Sequence, residues 1–181
     1  MGIVLIIVIL AIILIVCYNT LIAKKQGVKN AWAQIEVQLN RRYDLVPNLV
    51  EVAKKYMAHE ADTLTKIVEA RSKAMSASGP PDSMAANNVL SGALANLFAV
   101  AESYPDLRSS ENMIQLQQEL SNTESKIAFA RDFYNSAVMQ LNTAIEQFPT
   151  NLMAGAAKAT PAAFFEIDDP AASEPVKVRF D

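Results

Sequence analysis

RRYDLVPNLV, residues 41–50, places a proline among charges in the middle of what otherwise reads as a long amphipathic helix. Pro47 has no N–H to donate and its ring meets the carbonyl of Tyr43, so a helix must kink or end there. One reading starts a new helix capped by Asp44, with Pro47 in its tolerant first turn. The other keeps a single helix and bends it. From Val28 the seam runs in steps of four and three through Trp32, Ile35, Leu39, Arg42, Val46, Leu49, Ala53, Tyr56, Glu60, Thr63, Ile67 and Ala70. Those steps cross Pro47 without gaining or losing a residue, whereas a hairpin would normally insert loop residues and reset the register. The seam favours one kinked helix of roughly 60 Å, ending near SASGPPDS (76–83). A split at Pro47 remains the alternative, so three to four helices are expected.

Working back toward the N-terminus, MGIVLIIVILAIILIVC (1–17) carries no charge. Extended to Ala23, it is about 20 apolar residues, enough at ~1.5 Å per residue to cross a ~30 Å hydrocarbon layer. A cleaved signal would want a basic start and a small-residue cleavage site. Here no base precedes the run, and bulky Ile15 and Val16 close it. Residues 1–23 are therefore expected to be a transmembrane anchor, with the lipid bilayer as first partner. Lys24, Lys25, Lys29, Arg41 and Arg42 all follow it, which favours an N-out, C-in single pass in the cell membrane. A reversal at Asp44 would also send the next helix back toward the bilayer, a second reason to favour the kink.

Working forward, a second helix is expected from Asp82 or Ser83 to Tyr104, on a seam of Leu90, Leu94, Leu97 and Ala101, stopped by Pro105. A third is expected from a Ser109 cap through Leu120, Ile127, Tyr134 and Leu141 to Phe148, stopped by Pro149. The fold class is all-α: an anchor (1–23), an elongated antiparallel helical bundle of three long segments (24–149), and an extended tail (150–181). Within the tail, FFEI (164–167) and VKVRF (176–180) read as short β-like runs, with FFEI packing on the bundle.

The residue inventory argues against most chemistry. His59 is the only histidine, and Cys17, the only cysteine, lies in the apolar run. A Ser–His–Asp or Cys–His unit would have to use that one histidine. His59-Glu60 begins like a zinc-protease motif, but Thr63 stands where the second ligand belongs. There is no phosphate-binding glycine loop. The net charge of −3 gives no general attraction to nucleic acid. No enzyme activity, cofactor, metal or nucleic-acid partner is expected.

What remains is polar residues in apolar seams. Arg42 and Glu60 fall on the core face of the first helix, and Glu124 and Arg131 flank the seam of the last. Unpaired buried charge costs several kcal/mol, so Arg42 with Glu124 and Glu60 with Arg131 are the expected pairs. Asp44, Asn48, His59 and Asn135 complete the candidate set, with Asn48, Asn135 and Asn142 available to bond backbone freed at Pro47. The bland account, in which these residues set register or reach water, outweighs a ligand pocket. Trp32, Tyr56 and Phe133 are expected in the core.

Several stretches together resemble the LemA family of bacterial membrane-anchored helical proteins. They are YNTLI (18–22), AWAQIEVQLNRRYDLVPNLVEVAKKYMAHE (31–60), EAR (69–71), AESYPDL (101–107), LQQELSNTESKIAFARDFYNSAV (116–138) and LNTAIEQFP (141–149). One departure is Leu141, where the family commonly shows tyrosine. The resemblance implies a four-helix up-and-down bundle on a single-pass anchor, no established enzymatic activity, and a role in organising membrane-associated proteins. A fourth helix would most simply come from a division at Asp44–Pro47.

The combined expectation is a scaffold that self-assembles through apolar seams, with other membrane proteins as further partners. The length mismatch between the short second helix and its long neighbours leaves seam to be covered by another copy. The alternative is a signalling or ligand-sensing protein whose kinked first helix is the switch.

Overall fold

Helix α1 runs from Gly2 to Tyr56, with Pro47 inside it, in a computed structural model that describes residues 1–165. At ~1.5 Å per residue this is a rod of about 80 Å. It is followed by α2 (Ala61–Ser76), α3 (Gly79–Ala101), the single turn α4 (Pro105–Arg108) and α5 (Glu111–Glu146), then a 3₁₀ turn at Thr150–Met153. The fold is all-α, as expected.

The expected kink or split at Pro47 is not seen. Helix continues on both sides of the proline, which faces solvent. The chain reverses ten residues later, at Met57–Glu60, dividing the segment read as one rod into α1 and α2. The apolar register does not reveal the reversal, for a geometric reason. The turn is four residues long, and Ala53, Met57, Thr63, Leu64, Ile67 and Ala70 stay buried across it, so the phase survives the reversal. Signals for the turn were present: Lys54 and Lys55 occupy the last turn of α1 and Asp62 the first turn of α2, each matched to its helix dipole. Fourth-helix count and membrane clearance are reconciled, because α2 is only 16 residues, about 24 Å, and its end lies at the level of Glu36–Tyr43.

Cross-helix contacts give the topology. Tyr43 meets Ala74 and Arg71 of α2, Asn87 of α3 lies beside Tyr43, Tyr104 beyond α3 reaches back to Glu60, and Glu119, Tyr134 and Gln140 of α5 meet Arg41, Trp32 and Lys24. The helices therefore run up, down, up and down. Two caps differ from expectation. The α3 helix starts at Gly79, so Pro80 and Pro81 sit in its first turn, where no N–H is required. Gly79 itself has φ +79°, a conformation that glycine adopts without strain. Ser110, not Ser109, caps α5, its hydroxyl accepting from Met113 N at 3.2 Å.

The bundle has two tiers. In the distal tier α1, α2, α3 and α5 enclose Val46, Leu49, Met57, Ile67, Leu90, Leu97 and Leu107. The α3 helix carries Gly92 inside it, costing about 1 kcal/mol against alanine. Burial of Leu90, Leu94 and Leu97 contributes about 1.5–3 kcal/mol each and decides the matter. In the proximal tier α1 and α5 pair with each other alone, and Ala162 and Phe165 of the following segment close one side. The seams expected to stand open are thus covered within one copy, because the tail supplies what α2 and α3 are too short to reach. Of the aromatics expected inside, Trp32 is half-buried and stacks edge-on against Tyr134 at 5.7 Å. Tyr56 and Phe133 are exposed: the seam shifts from Tyr56 to Met57, and Phe133 lies beside the seam residue Tyr134 rather than in the seam.

Every large apolar side chain from Ile3 to Val16 is exposed. Such a cylinder is unstable in water, and this apolar helix associates the chain with a membrane. Gly79–Ala101 is also long and apolar enough to cross one, but its leucines form the distal core. Phe164 and Phe165 are not in a strand; the remainder of FFEI and all of VKVRF lie outside the described residues.

Candidate functional site

The polar residues concentrate at the junction of the two tiers, around RRYDLVPNLV (41–50). Arg42 is 3% exposed. Its Nη2 donates to Ser91 Oγ at 2.7 Å and its Nε lies 2.9 Å from Glu124 Oε1, so one guanidinium ties α1 to α3 and α5. Burial pulls the Arg42 guanidinium below its usual range, with the Glu124 carboxylate opposing the shift. The neighbouring pair Arg41–Glu119, 2.8 Å apart, is solvent-exposed and adds little.

Tyr43, one residue on, anchors the other half of the cluster. Asn87 Nδ2 donates to Tyr43 Oη at 2.7 Å and to Ser83 O at 2.8 Å. Burial raises the Tyr43 phenol above its ordinary pKa. The backbone carbonyl of Tyr43 is the one that Pro47 leaves without an amide. Arg71 Nε of α2 donates to it at 2.7 Å. This answers why a proline is accepted in a helix interior here: its ring points to water and the orphaned acceptor receives a charged donor.

The other candidates fall elsewhere. Asp44, Asn48 and His59 are exposed; Asn48 borders a shallow groove with Val52, Asn112 and Leu116. The expected Glu60–Arg131 pair is absent. Glu60, in the α1–α2 turn, accepts from Tyr104 Oη at 3.1 Å, and this bond raises the Tyr104 pKa. Arg131 lies in the proximal tier, far down α5, with its guanidinium 4.3 Å above the Phe165 ring. Burial lowers its pKa, again against the pull of Glu124. The reversal at Met57–Glu60 explains the misplacement, since it keeps Glu60 at the distal end while α5 carries Arg131 toward the membrane.

Asn135 and Asn142 bond freed backbone, though not at Pro47. Asn135 donates to Phe165 O at 3.1 Å and accepts from Phe165 N at 2.7 Å; Asn142 does the same to Ala162 at 3.0 and 2.9 Å. Tyr134 Oη donates to Ala163 O at 3.0 Å. The match is one of lengths. Seven residues of helix rise about 10.5 Å, and three extended residues span about 10 Å, so two amides two turns apart bracket one strand-like strap.

Sequence reasoning did not assign Arg71, Asn87 or Ser91. Asn87 and Ser83 were legible, because extending the Leu90–Leu94–Leu97 seam backwards by three and four lands on them. Arg71 required knowing that α2 folds back beside Tyr43. As chemistry, the cluster ties four helices together through Arg42, Tyr43, Arg71 and Asn87; Glu124 stays 44% exposed, and Asn87 Oδ1 is buried without a hydrogen-bond partner. Among the described residues, no group of three or more His, Cys, Asp or Glu side chains gathers to hold a metal ion.

A sequence model of the LemA family matches residues 31–180. Protein LemA of Metamycoplasma hominis is 29% identical over 140 residues, covering 75% of this chain and 63% of that protein. Magnetosome proteins MamQ 1 and MamQ 2 of Paramagnetospirillum magneticum are each 25% identical over 189 residues, covering 90% of this chain and 69% of theirs.

Proposed function

Because the chain belongs to the LemA family, we propose that it is a non-enzymatic scaffold: a single-pass protein, N-terminus out and bundle in the cytoplasm, that associates with further copies of itself beside the membrane. The domain division is an anchor at 1–23, a bundle at 24–149 and a tail at 150–181, with α1 running unbroken through the first boundary. Lys24, Lys25 and Lys29 after the apolar run support the orientation. Arg42, Glu124, Asn87 and Arg71 hold the bundle in register.

The observation that carries self-association is the uncovered side of the proximal tier. The strap closes one side of the α1–α5 pair. On the other, Val37 is 62% exposed and Phe129 75%, along a groove that also includes Gln34, Gln38 and Lys126, and Phe133, one turn on from Phe129, is 48% exposed. This stripe, rather than the buried seams, is the apolar surface left for a second copy. Anchoring holds every copy at one height and in one orientation, so identical stripes meet side by side. The switch reading relied on a kink at Pro47, and an unbroken α1 lends it no support.

The test is disulfide crosslinking in native membranes, using Phe129→Cys in a Cys17→Ala chain. Dimers should form at Phe129→Cys well above the level at Asp106→Cys, in the distal cap. Equal, background crosslinking at both positions would defeat the assignment of this stripe.

A further inference from the structure

Burial along the apolar part of α1 is uneven in an informative way. From Ile3 to Val16 the large side chains are exposed, yet Cys17 is 5% exposed and Leu21 is completely buried. Both precede Lys24, so they belong to the stretch expected to lie in or at the edge of the hydrocarbon. Leu21 is covered by Ala144 at the end of α5 and by Ala157 and Ala159 beyond it, with Ile145, Met153 and Ala154 packed around them. The 3₁₀ turn Thr150–Met153 rests against α1 as well. Whatever depth Leu21 occupies, the segment after α5 occupies too.

Three properties of that segment suit it to such a place. QFPTNLMAGAA (147–157) contains no charged residue, in a chain of which 19% is Asp, Glu, Lys or Arg. Several of its backbone groups are paired within the segment, without strands. Asn151 N bonds Gln147 O, Leu152 N bonds Pro149 O, Ala154 N bonds Asn151 O and Ala157 N bonds Met153 O, at 2.9–3.3 Å, and Thr150 Oγ1 lies within bonding distance of Ala144 O and Gln147 O. A backbone with its polar groups paired internally is the kind that tolerates a low-water environment. Finally, its exposed side chains include two large apolar ones, Phe148 at 75% and Leu152 at 58%, beside the polar Gln147 and Asn151. At its end, Lys25 Nζ donates to Lys158 O at 2.9 Å, which marks where charge resumes.

We propose that residues 147–157 form a second membrane-contact site, a wedge seated in the interfacial zone of the leaflet from which α1 emerges, with Phe148 and Leu152 among the lipid acyl chains. The partner is the bilayer itself, and the contact continues the lipid-facing surface of α1. A lone spanning helix leaves a rod free to rotate and tilt. A wedge on one side of that helix gives the bundle a defined face toward the membrane and a defined face away from it.

The proposal rests on α1 spanning the bilayer, and the experiment separates the two. The full chain, with Cys17→Ala and a single nitroxide-labelled cysteine at Ile9, Phe148, Leu152 or Asp106, is reconstituted in nanodiscs of phosphatidylethanolamine and phosphatidylglycerol. Collision rates with oxygen and with a water-soluble nickel chelate are then compared. Labels at 148 and 152 should show nickel accessibility several-fold below that at 106, with oxygen accessibility raised toward that at 9. If position 9 is in lipid while 148 and 152 match 106, the wedge is overturned and the anchor stands. If position 9 itself is open to the nickel chelate, both fail.

Discussion

At the scale of single residues, Pro47 and Arg71 form a unit that neither explains alone. The proline withdraws one amide from the helix ladder, and the guanidinium of a different helix bonds the carbonyl so released. Arg71→Met should therefore destabilise the protein by about 1–3 kcal/mol, the cost of a buried acceptor without a partner. In a Pro47→Ala background the helical amide returns, and the same substitution should cost less than about half as much. Chemical unfolding of the full chain in detergent, run as a double-mutant cycle, checks this; additive costs would mean that Arg71 stabilises by packing alone. Pro47 itself, the need for a partner at Tyr43, and the burial of Arg42 were all legible in the sequence. The donor was not, because its identity depends on which helix folds back against Tyr43.

At the scale of elements, the turn at Met57–Glu60 shows how a hydrophobic register can hide a reversal. Helical phase repeats, so a loop that spans about one turn's worth of residues leaves the seam intact. Local charge gave a better signal than periodicity, with lysines closing α1 and an acid opening α2. The turn is also latched from outside, by the Tyr104 hydroxyl on Glu60. A phenol that donates to a carboxylate is stabilised in its neutral form, which is why the Tyr104 pKa is raised. Glu60→Gln should lower it toward the ordinary tyrosine value. Ultraviolet titration of the variant against the parent, with Tyr104→Phe to identify the signal, checks the direction; an unchanged midpoint would mean that the latch does not form in solution. The strap belongs to this scale too. Asn135 and Asn142 were singled out from sequence as polar residues near a seam, but their partners, Phe165 and Ala162, lie in a segment with no periodicity to place it.

At the scale of the whole molecule, helix lengths govern the architecture. The short α2 and α3 can enclose only the distal half of α1 and α5, and the proximal half depends on the strap and the segment before it. The two tiers should respond separately. Truncation after Ala159 should speed amide exchange in α1 near Ala31–Leu39 and in α5 near Ile127–Leu141, while amides around Leu49, Ile67 and Leu97 keep their protection. Hydrogen-exchange mass spectrometry checks this, and a uniform loss across both tiers would show that the bundle unfolds as one unit. By itself the sequence determined the helical class, the apolar membrane helix, the seams, the buried Arg42 and the poverty of catalytic groups. These follow from composition and from spacings of three and four, which are local. Only the tertiary structure decided where the rod reverses, which donor serves Tyr43, how the strap replaces a missing helix pair, and which side of the proximal tier stays open. Each of those depends on contacts between residues distant along the chain, and a periodic pattern is silent on which of its repeats will meet.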